Sequence, residues 1–405
     1  MTDVKKRIVA LLWHPGMQYR LFGSIEKALP NEVSVRLLGM PQMVLEKNLL
    51  SMLSRRTPLP DEIESLVSRD FMRKTCTRPD LATERYKNRI RRTAAEWYRF
   101  FQRKLEGVDL LVVWHGYKRP ASLAVVAAKE HGAQVIYCEN GVLPGTLAMD
   151  TLGINFESSL TGLDPEYYRS LSMDSVKMDL ILNTALQQRP FSRIARVKSN
   201  DTDDDRELPD RYVLYAMQVH DDSQVLLFSQ RFPSMESAVP YVADCVAEYN
   251  RRYGDTIKLV VKEHPTDYGR VDYAAMRAAL PDVYFLRTTP VSDIIDRALA
   301  VVTLNSTVGV EGLLRLRPVI TLGDASYNVP GMVWHVGPDD DLVDSLAKAI
   351  DKPVDQDLII RFLYFLRYEY LVPVSKTGCT PATVRPAADR IMDILDGRWP
   401  SWNTK

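Results

Sequence analysis

The sequence predicts an α/β protein built from two doubly wound domains that face a cleft. Three observations support this fold class. Short apolar, β-branched runs alternate with helical patterns along most of the 405 residues. A polar, acidic stretch without apolar periodicity, KSNDTDDDRELPD, separates two such series. The length allows two or three domains of roughly 150 residues, each able to bury its own core.

The first series contains four strand candidates and the second contains five. In chain order they are Arg7–Trp13, Val33–Leu38, Asp109–Trp114, Gln134–Cys138, Tyr212–Met217, Ile257–Lys262, Val283–Leu286, Ala300–Leu304 and Pro318–Leu322. A last helix is expected at Ala387–Leu395.

These elements predict four parts along the chain. They are an N-terminal Rossmann-like domain at 1–197, an acidic linker at 198–210, a C-terminal Rossmann-like domain at 211–375, and a helical segment at 376–405. We expect the last segment to pack back across the domains. The plan is GT-B-like, which at this point is an analogy of fold alone.

Composition and charge exclude several classes of protein. Lys plus Arg number 52, as do Asp plus Glu, so the formal charge of +0 argues against a general nucleic-acid binder. No run of about 18 apolar residues occurs, and the start reaches a Pro-Gly turn too early for a signal peptide. The 4 cysteines are scattered and form no CxxC, which argues against a disulfide framework and a structural zinc site. We therefore expect a cytoplasmic protein.

One segment departs from this neutral average. Between Phe71 and Leu105, eleven basic residues occur with three acidic ones, a local net charge of +8. Apolar residues recur there at helical spacing: Ile90, Ala94, Trp97, Phe101 and Leu105. They predict an amphipathic helix within a basic helical insertion around 60–106. Its basic face is either a solvated surface or one that meets anionic lipid headgroups, where each cation contributes about 1 kcal/mol.

Polar side chains follow four of the predicted strands, where open α/β sheets place their ligand sites. Glu139 and Asn140 follow one strand of the first series, and a carboxylate at such a position can serve as a general base, cap a helix or form a salt bridge. Gln218, His220, Asp221, Asp222 and Ser223 follow the first strand of the second series. Adjacent acids there can react or only cap the next helix.

The other two groups suit a phosphate. Lys262, Glu263, His264 and Pro265 end one strand, and a residue before proline favours the extended backbone that holds His264 at the strand tip. Asn305, Ser306 and Thr307 lie between another strand and a helix. Hydroxyls there cap the helix, and the exposed N–H groups of a helix start can also bind an anion.

Several other chemistries lack their motifs. The sequence contains no P-loop, no GxGxxG after a strand, no HExxH and no GxSxG. The acidic runs at 203–205 and 339–341 imitate metal-binding DxD motifs but lie in polar stretches, so we interpret them as solvated charge.

Taken together, the segments resemble the capsule polysaccharide biosynthesis family of bacterial β-Kdo glycosyltransferases, the KpsC/KpsS type, and most closely its single-module KpsS branch. The motifs that carry the resemblance are WHGYKRP (114–120), ENGVLPGTLAMDTLGIN (139–155), QVHDDSQ (218–224), KEHP (262–265), NSTVGVEGL (305–313) and LGDASYNVPGM (322–332). The early PGMQYRLFGSIEKAL is also similar to the first strand-loop-helix of the family. The region from Phe362 to Gly378 lacks the Gln-containing stretch expected there.

The resemblance implies a retaining transfer of Kdo from CMP-β-Kdo to a lysophospholipid or a Kdo-terminated glycolipid, through a covalent glycosyl-enzyme. By motif, Asp222 is the nucleophile, with Asp221 as its rival, and Glu139 is the acid/base. The implied nucleotide-binding residues are Lys262, His264, Pro265, Asn305, Ser306 and Thr307. The implied substrate contacts are Gln218, Asn140 and Arg119, whose guanidinium suits the Kdo carboxylate but could equally form an ion pair. We expect no metal and no cofactor.

The resemblance also implies partners and a place in the cell. The basic 71–105 segment would contact the cytoplasmic face of the bacterial inner membrane, and other capsule biosynthesis proteins would be partners. Two alternatives stay open. One is another cytidine-nucleotide donor, CMP-sialic acid or CDP-glycerol, and the other is a non-catalytic, membrane-associated scaffold of capsule assembly.

Overall fold

The computed structural model describes residues 5–14, 16–51, 59–179, 181, 207–268, 270–374, 378–400 and 402. They form two compact units, the first from 1–159 together with 368–405, and the second from 160–367. The expected linker at 198–210 lies outside the described residues as far as 206.

The predicted strands are all present, with ends shifted by one or two residues. The strands are β1 (Lys6–Leu12), β2 (Val33–Gly39), β3 (Leu110–Trp114), β4 (Gln134–Asn140), β5 (Thr146–Asp150), β6 (Tyr212–Ala216), β7 (Lys258–Lys262), β8 (Tyr284–Leu286), β9 (Ala300–Thr303), β10 (Val319–Thr321), β11 (Trp334–His335) and β12 (Val372–Pro373). Of these, β5, β11 and β12 were not predicted.

The helices connect these strands. They are α1 (Met17–Ala28), α2 (Met40–Ser51), α3 (Asp61–Thr77), α4 (Glu84–Lys104), α5 (Ala121–Glu130), α6 (Pro165–Arg169), α7 (Ser223–Phe228), α8 (Met235–Tyr253), α9 (Ala274–Ala279), α10 (Val291–Ile295), α11 (Val308–Leu314), α12 (Leu342–Asp351), α13 (Gln356–Phe365) and α14 (Arg385–Leu395). In the described part of the chain, no helix is both long and apolar enough to cross a membrane.

The first unit is built on a six-stranded sheet of order β12-β5-β4-β3-β1-β2. Strands β2, β1, β3 and β4 are parallel, and β5 and β12 extend the sheet antiparallel. The sheet is covered on both faces, because successive residues of β1 enter different cores: Val9 packs with the α4 side and Ile8 with α1 and α14.

Helix α4 confirms the predicted amphipathic helix. Its five predicted apolar residues, Ile90, Ala94, Trp97, Phe101 and Leu105, are buried. The hydroxyl of Thr83 accepts a hydrogen bond from the N–H of Tyr86 and so caps the start of the helix.

The second unit contains a fully parallel sheet of order β11-β10-β9-β6-β7-β8. The chain builds outward from β6 through β7 to β8, then returns to the other side of β6 with β9. This is the strand order of a Rossmann fold, and its switch point lies between β6 and β9. Ligands of such sheets bind at the carboxyl ends of the strands beside that point.

The two units of the structure have other boundaries than the predicted domain ends at 197 and 375. The second unit begins at 160 because α6 packs on α13: the ring of Tyr168 lies 5.6 Å from those of Phe362 and Phe365, and Arg169 pairs with Asp355. From residue 368 onward the chain again belongs to the first unit, because β12 pairs with β5 and α14 packs on α1.

Candidate active site

Three of the predicted segments meet at the carboxyl edge of the second sheet, beside the switch point. They follow β6 (residues 217–222), β7 (263–267) and β9 (304–307), which are neighbours in the sheet. Hydrogen bonds join the first of these segments to each of the other two. The structure therefore brings together the groups that the sequence placed at separate strand ends.

A pair of buried amides spans the switch point. Gln218 and Asn305 are 3% and 7% exposed. Gln218 Nε2 donates to Asn305 Oδ1 (2.9 Å), and the N–H of Asn305 donates to Gln218 Oε1 (3.1 Å). Asn305 Nδ2 donates to the carbonyl oxygens of Gln224 and Phe228. Buried amides with these partners hold the strand ends together, and the implied substrate and nucleotide roles of the pair stay predictions.

Asp222 stands at the start of α7. Its Oδ1 accepts the N–H of Gln224 at 2.9 Å, so the carboxylate caps the helix while remaining partly exposed. The neighbouring Asp221 instead lies 3.4 Å from Arg270. The capping interpretation left open by the sequence thus holds for Asp222, and the same bond fixes the direction of a carboxylate that can also react.

A buried carboxylate that sequence reasoning missed joins two of the segments. Asp267, 1% exposed, accepts hydrogen bonds from the N–H of His220 (3.0 Å), His220 Nδ1 (2.9 Å) and the hydroxyl of Tyr273 (3.0 Å). Burial, reinforced by Asp267, raises the pKa of Tyr273, which keeps the phenol a donor. The only signal in the sequence was an aspartate three residues after His264.

Two of the implied nucleotide-binding side chains, His264 and Lys262, lie at the end of β7 and differ in their hydrogen-bond partners. His264 precedes the 3-10 turn Pro265–Asp267, and its Nδ1 accepts the N–H of Thr266 at 3.1 Å. A neutral His264 therefore carries its hydrogen on Nε2 as a donor. Lys262 is 8% exposed, and its Nζ donates to the carbonyl oxygens of Glu263 and Arg287 and to the hydroxyl of Tyr268. These three acceptors match the three N–H groups of an ammonium, and the implied role of Lys262 at the phosphate stays a prediction.

The segment after β9 forms a tight turn into α11. The N–H of Val308 donates to Ser306 Oγ (3.2 Å), and Thr307 is exposed. The hydroxyl of Tyr327 donates to the carbonyl of Ser306. A Cβ at Gly309 would lie 2.7 Å from the ring of Tyr327, which explains the glycine in the NSTVGVEGL motif. Further along α11, burial raises the pKa of Glu311 to about 7.

In the first unit, Glu139 and Asn140 are the last two residues of β4, which extends two residues beyond the predicted strand end. Glu139 is 17% exposed, and its Oε1 accepts the N–H of Asn140 at 2.6 Å. Its Oε2 lies 2.5 Å from Nδ1 of His115, a residue that follows β3 in the WHGYKRP motif. The sequence had not singled out His115, although the motif contains it.

Arg119 forms a buried ion pair. Its Nε and one terminal nitrogen donate to Asp70, and the other terminal nitrogen donates to the carbonyl of Ile90 at 3.0 Å. Although burial opposes it, Arg119 and then Arg73 hold the pKa of Asp70 below its usual value. The ion pair that the sequence left open is therefore present, and it anchors α3 and α4 to the loop after β3. The implied contact of Arg119 with the Kdo carboxylate stays a prediction.

Comparison with known proteins finds that this chain is similar to capsule biosynthesis proteins. Residues 165–352 match the family described as capsule polysaccharide biosynthesis protein. Protein FixF of Sinorhizobium fredii is 31% identical over 287 residues, which cover 71% of this chain and 65% of FixF. The capsule polysaccharide export protein KpsS of Escherichia coli is 29% identical over 136 residues, 32% of this chain and 34% of KpsS. The chain thus spans less than two thirds of these relatives.

A solved structure shares the fold. The KpsC β-Kdo 2,7 transferase of Thermosulfurimonas dismutans aligns with a TM-score of 0.50 and 16% identity over 96% of this chain and 99% of that chain. This likeness confirms the predicted GT-B-like α/β class. The matched family region contains the whole carboxyl edge of the second sheet. The match of this region to the family model, together with the similarity to KpsS and to the capsule polysaccharide modification protein LipB of Neisseria meningitidis, confirms the resemblance inferred from the motifs.

Proposed function

We propose that this chain is a retaining β-Kdo glycosyltransferase that transfers Kdo from CMP-β-Kdo to a lysophospholipid or a Kdo-terminated glycolipid. One observation carries the proposal: the capping carboxylate Asp222 and the donor His264 are held on two linked loops beside a Rossmann switch point. A nucleotide site and a reactive carboxylate at one sheet edge are what a nucleotide-sugar transferase requires.

In the first step, Asp222 attacks the anomeric carbon of Kdo as the bond to the CMP phosphate breaks. Phosphate is a good leaving group that needs charge stabilisation more than protonation, and the Nε2 hydrogen of His264 and the hydroxyls of Ser306 and Thr307 are suited to supply it. In the second step, the acceptor oxygen displaces Asp222 while its proton passes to Glu139. Two inversions give retention.

The decisive experiment is detection of the covalent intermediate. The chain of 405 residues is incubated with CMP-Kdo made in situ, with and without fluorescent lysophosphatidylglycerol or a Kdo-terminated acceptor. We expect a Kdo-bearing product with acceptor and a Kdo adduct on Asp222 without it. Asp222→Ala should abolish both, whereas Asp221→Ala should keep the adduct. An adduct on Asp221 would overturn the assignment, and no turnover with any acceptor would refute the function.

The donor is tested separately. CMP-Kdo, CMP-sialic acid and CDP-glycerol are compared by the shift in melting temperature each produces, since a ligand that binds only the folded state stabilises it. We expect the largest shift with CMP-Kdo in the Asp222→Ala variant. A larger shift with either of the other donors would transfer the proposal to that donor.

We further propose that α4 contacts anionic lipid. Steps of three, four or seven residues place five arginines on one face, opposite the buried stripe: Arg85, Arg89, Arg92, Arg99 and Arg103. Part of the +8 charge is neutralised within the fold, because Arg91 pairs with Glu64, Arg92 with Glu96 and Lys104 with Glu46. The remaining charge is that of an amphipathic helix with a basic outer face, the kind that lies on a membrane surface.

This surface is tested with vesicles of phosphatidylglycerol and phosphatidylcholine. Arg85→Glu with Arg89→Glu should weaken sedimentation with anionic vesicles at least tenfold while leaving CMP binding unchanged. Lys27→Glu with Arg251→Glu makes the same change of charge at two exposed positions elsewhere and should have little effect. Equal losses in the two variants would make the effect one of net charge. Vesicle binding without any Kdo transfer would favour the scaffold alternative.

A further inference from the structure

His115 occupies a backbone conformation that its side chain does not favour. Its φ is 63°, in the left-handed region that non-glycine residues rarely adopt, and the next residue, Gly116, has a φ of 80°. Two hydrogen bonds hold the turn, from the N–H of His115 to the carbonyl of Cys138 and from the N–H of Gly116 to that of Trp114. A Cβ at Gly116 would lie 2.6 Å from the ring of Tyr137, so the turn is closely packed. Such conformations cost free energy and cluster at functional positions.

The turn brings the imidazole against the carboxylate of Glu139. Nδ1 of His115 lies 2.5 Å from Oε2 of Glu139. The two side chains differ in exposure, 48% for His115 and 17% for Glu139. When the less exposed Glu139 takes up a proton, the adjacent His115 is a base whose side chain has direct access to water.

Other titratable groups lie around the turn. Burial raises the pKa of Tyr137 and of Cys138, and Glu139 adds to the effect on Cys138. Burial also raises the pKa of Tyr117 in the same loop. The negative charge of Glu157 reinforces the effect on both tyrosines, and those of Glu62 and Asp150 reinforce the effect on Tyr137. Among the described residues, Glu139 forms its ion pair with His115, which makes the imidazole its partner for proton exchange.

We propose that His115 positions Glu139 and relays its proton to solvent, an inference that rests on the proposed function. When the acceptor oxygen bonds to Kdo and the bond to Asp222 breaks, the acceptor proton passes to Glu139. Glu139 then gives a proton to Nδ1 of His115, and the hydrogen on Nε2 leaves to water. The carboxylate is regenerated, the imidazole is again neutral with its tautomer exchanged, and one proton has been released.

The first test is independent of activity. The imidazole signals of His115 are assigned by comparing NMR spectra of the wild type with those of His115→Asn, since asparagine tolerates the left-handed backbone. On Glu139→Gln, which removes the adjacent carboxylate, the imidazole signals of His115 should move at constant pH, because the partner of its Nδ1 changes. The signals of His131, which lies against the carbonyl of Gln102, should stay in place. Unchanged His115 signals would overturn the proposal whatever the activity.

The second test uses Kdo transfer. His115→Asn should lower kcat about tenfold, with a displaced pH profile, and added imidazole buffer should restore most of the loss, whereas His131→Asn should behave as wild type. Loss without rescue, or no loss, would refute the relay. Full activity in Glu139→Gln would instead refute the acid/base assignment in the proposed function, so the two failures are distinguishable.

Discussion

Glu311 makes the stability of the second unit depend on pH. Its Oε2 is buried and has no hydrogen-bond partner among the residues that the structure describes. Burial raises its pKa from 4.5 to about 7, against the opposing charge of Arg315. Because the folded state holds the proton more tightly than the unfolded chain, stability is greatest below pH 4.5 and falls as the pH rises toward 7.

The magnitude follows from the two pKa values. A carboxyl that ionises near 4.5 when unfolded and near 7 when folded costs about 3 kcal/mol above pH 7, of which about 2.5 kcal/mol develops between pH 5 and pH 8. Glu311→Gln keeps the shape and removes the titration. Relative to wild type, the variant should therefore gain about 2.5 kcal/mol of unfolding free energy between pH 5 and pH 8.

The assay is urea unfolding at both pH values, with hydrogen exchange of peptides from β9 and α11 to report on this unit alone. Glu166→Gln is the control, because it removes a carboxylate that is 83% exposed in the same unit. Its difference from wild type should stay within about 0.5 kcal/mol at both pH values. A Glu311→Gln difference that is the same at pH 5 and pH 8 would refute the reasoning.

The remaining predictions concern positions that the fold fixes. Asp267→Asn replaces one acceptor oxygen by a donor that faces other donors, and should destabilise the second unit by about 2 kcal/mol in urea unfolding. Tyr273→Phe removes one of the three donors and should lower the free energy of unfolding by less. Gln218→Leu leaves Asn305 without partners across the switch point and should lower the free energy of unfolding of the second unit by about 2 kcal/mol. A urea unfolding midpoint equal to that of the wild type would contradict this role of the Gln218–Asn305 pair. Gly141→Ala places a Cβ 2.9 Å from the backbone of Thr146 and should lower the melting temperature of the first unit, and an unchanged value would contradict the close approach.

The sequence predicted which residues lie at the strand ends, but it did not predict which residues their side chains contact. Nine strands were found because buried parallel strands are continuous apolar runs. The unpredicted β11 and β12 are two residues long and lie at the edges of their sheets, and β5 forms through its antiparallel pairing with β4 and β12. Strands of this kind depend on tertiary partners rather than on their own pattern.

The site shows the same limit. Asp222, His264 and Ser306 were placed correctly at one sheet edge because parallel strands share that edge. Arg119, in contrast, is paired with Asp70, which lies 49 residues away, and His220 with Asp267, 47 residues away. Nothing local in the sequence says which distant carboxylate will take a given donor, so an ion pair and a ligand contact of Arg119 stayed open as alternatives.

The division of the chain also bears on the order in which it folds. The second unit is continuous in sequence, whereas the first needs both ends of the chain: β12 completes its sheet and α14 its core. During synthesis the second unit can therefore fold while the first still exposes the edge of β5 and one side of α1. That edge is a site for mispairing until β12 and α14 emerge, and deletion of residues 368–405 should cause aggregation through the first unit with the second intact.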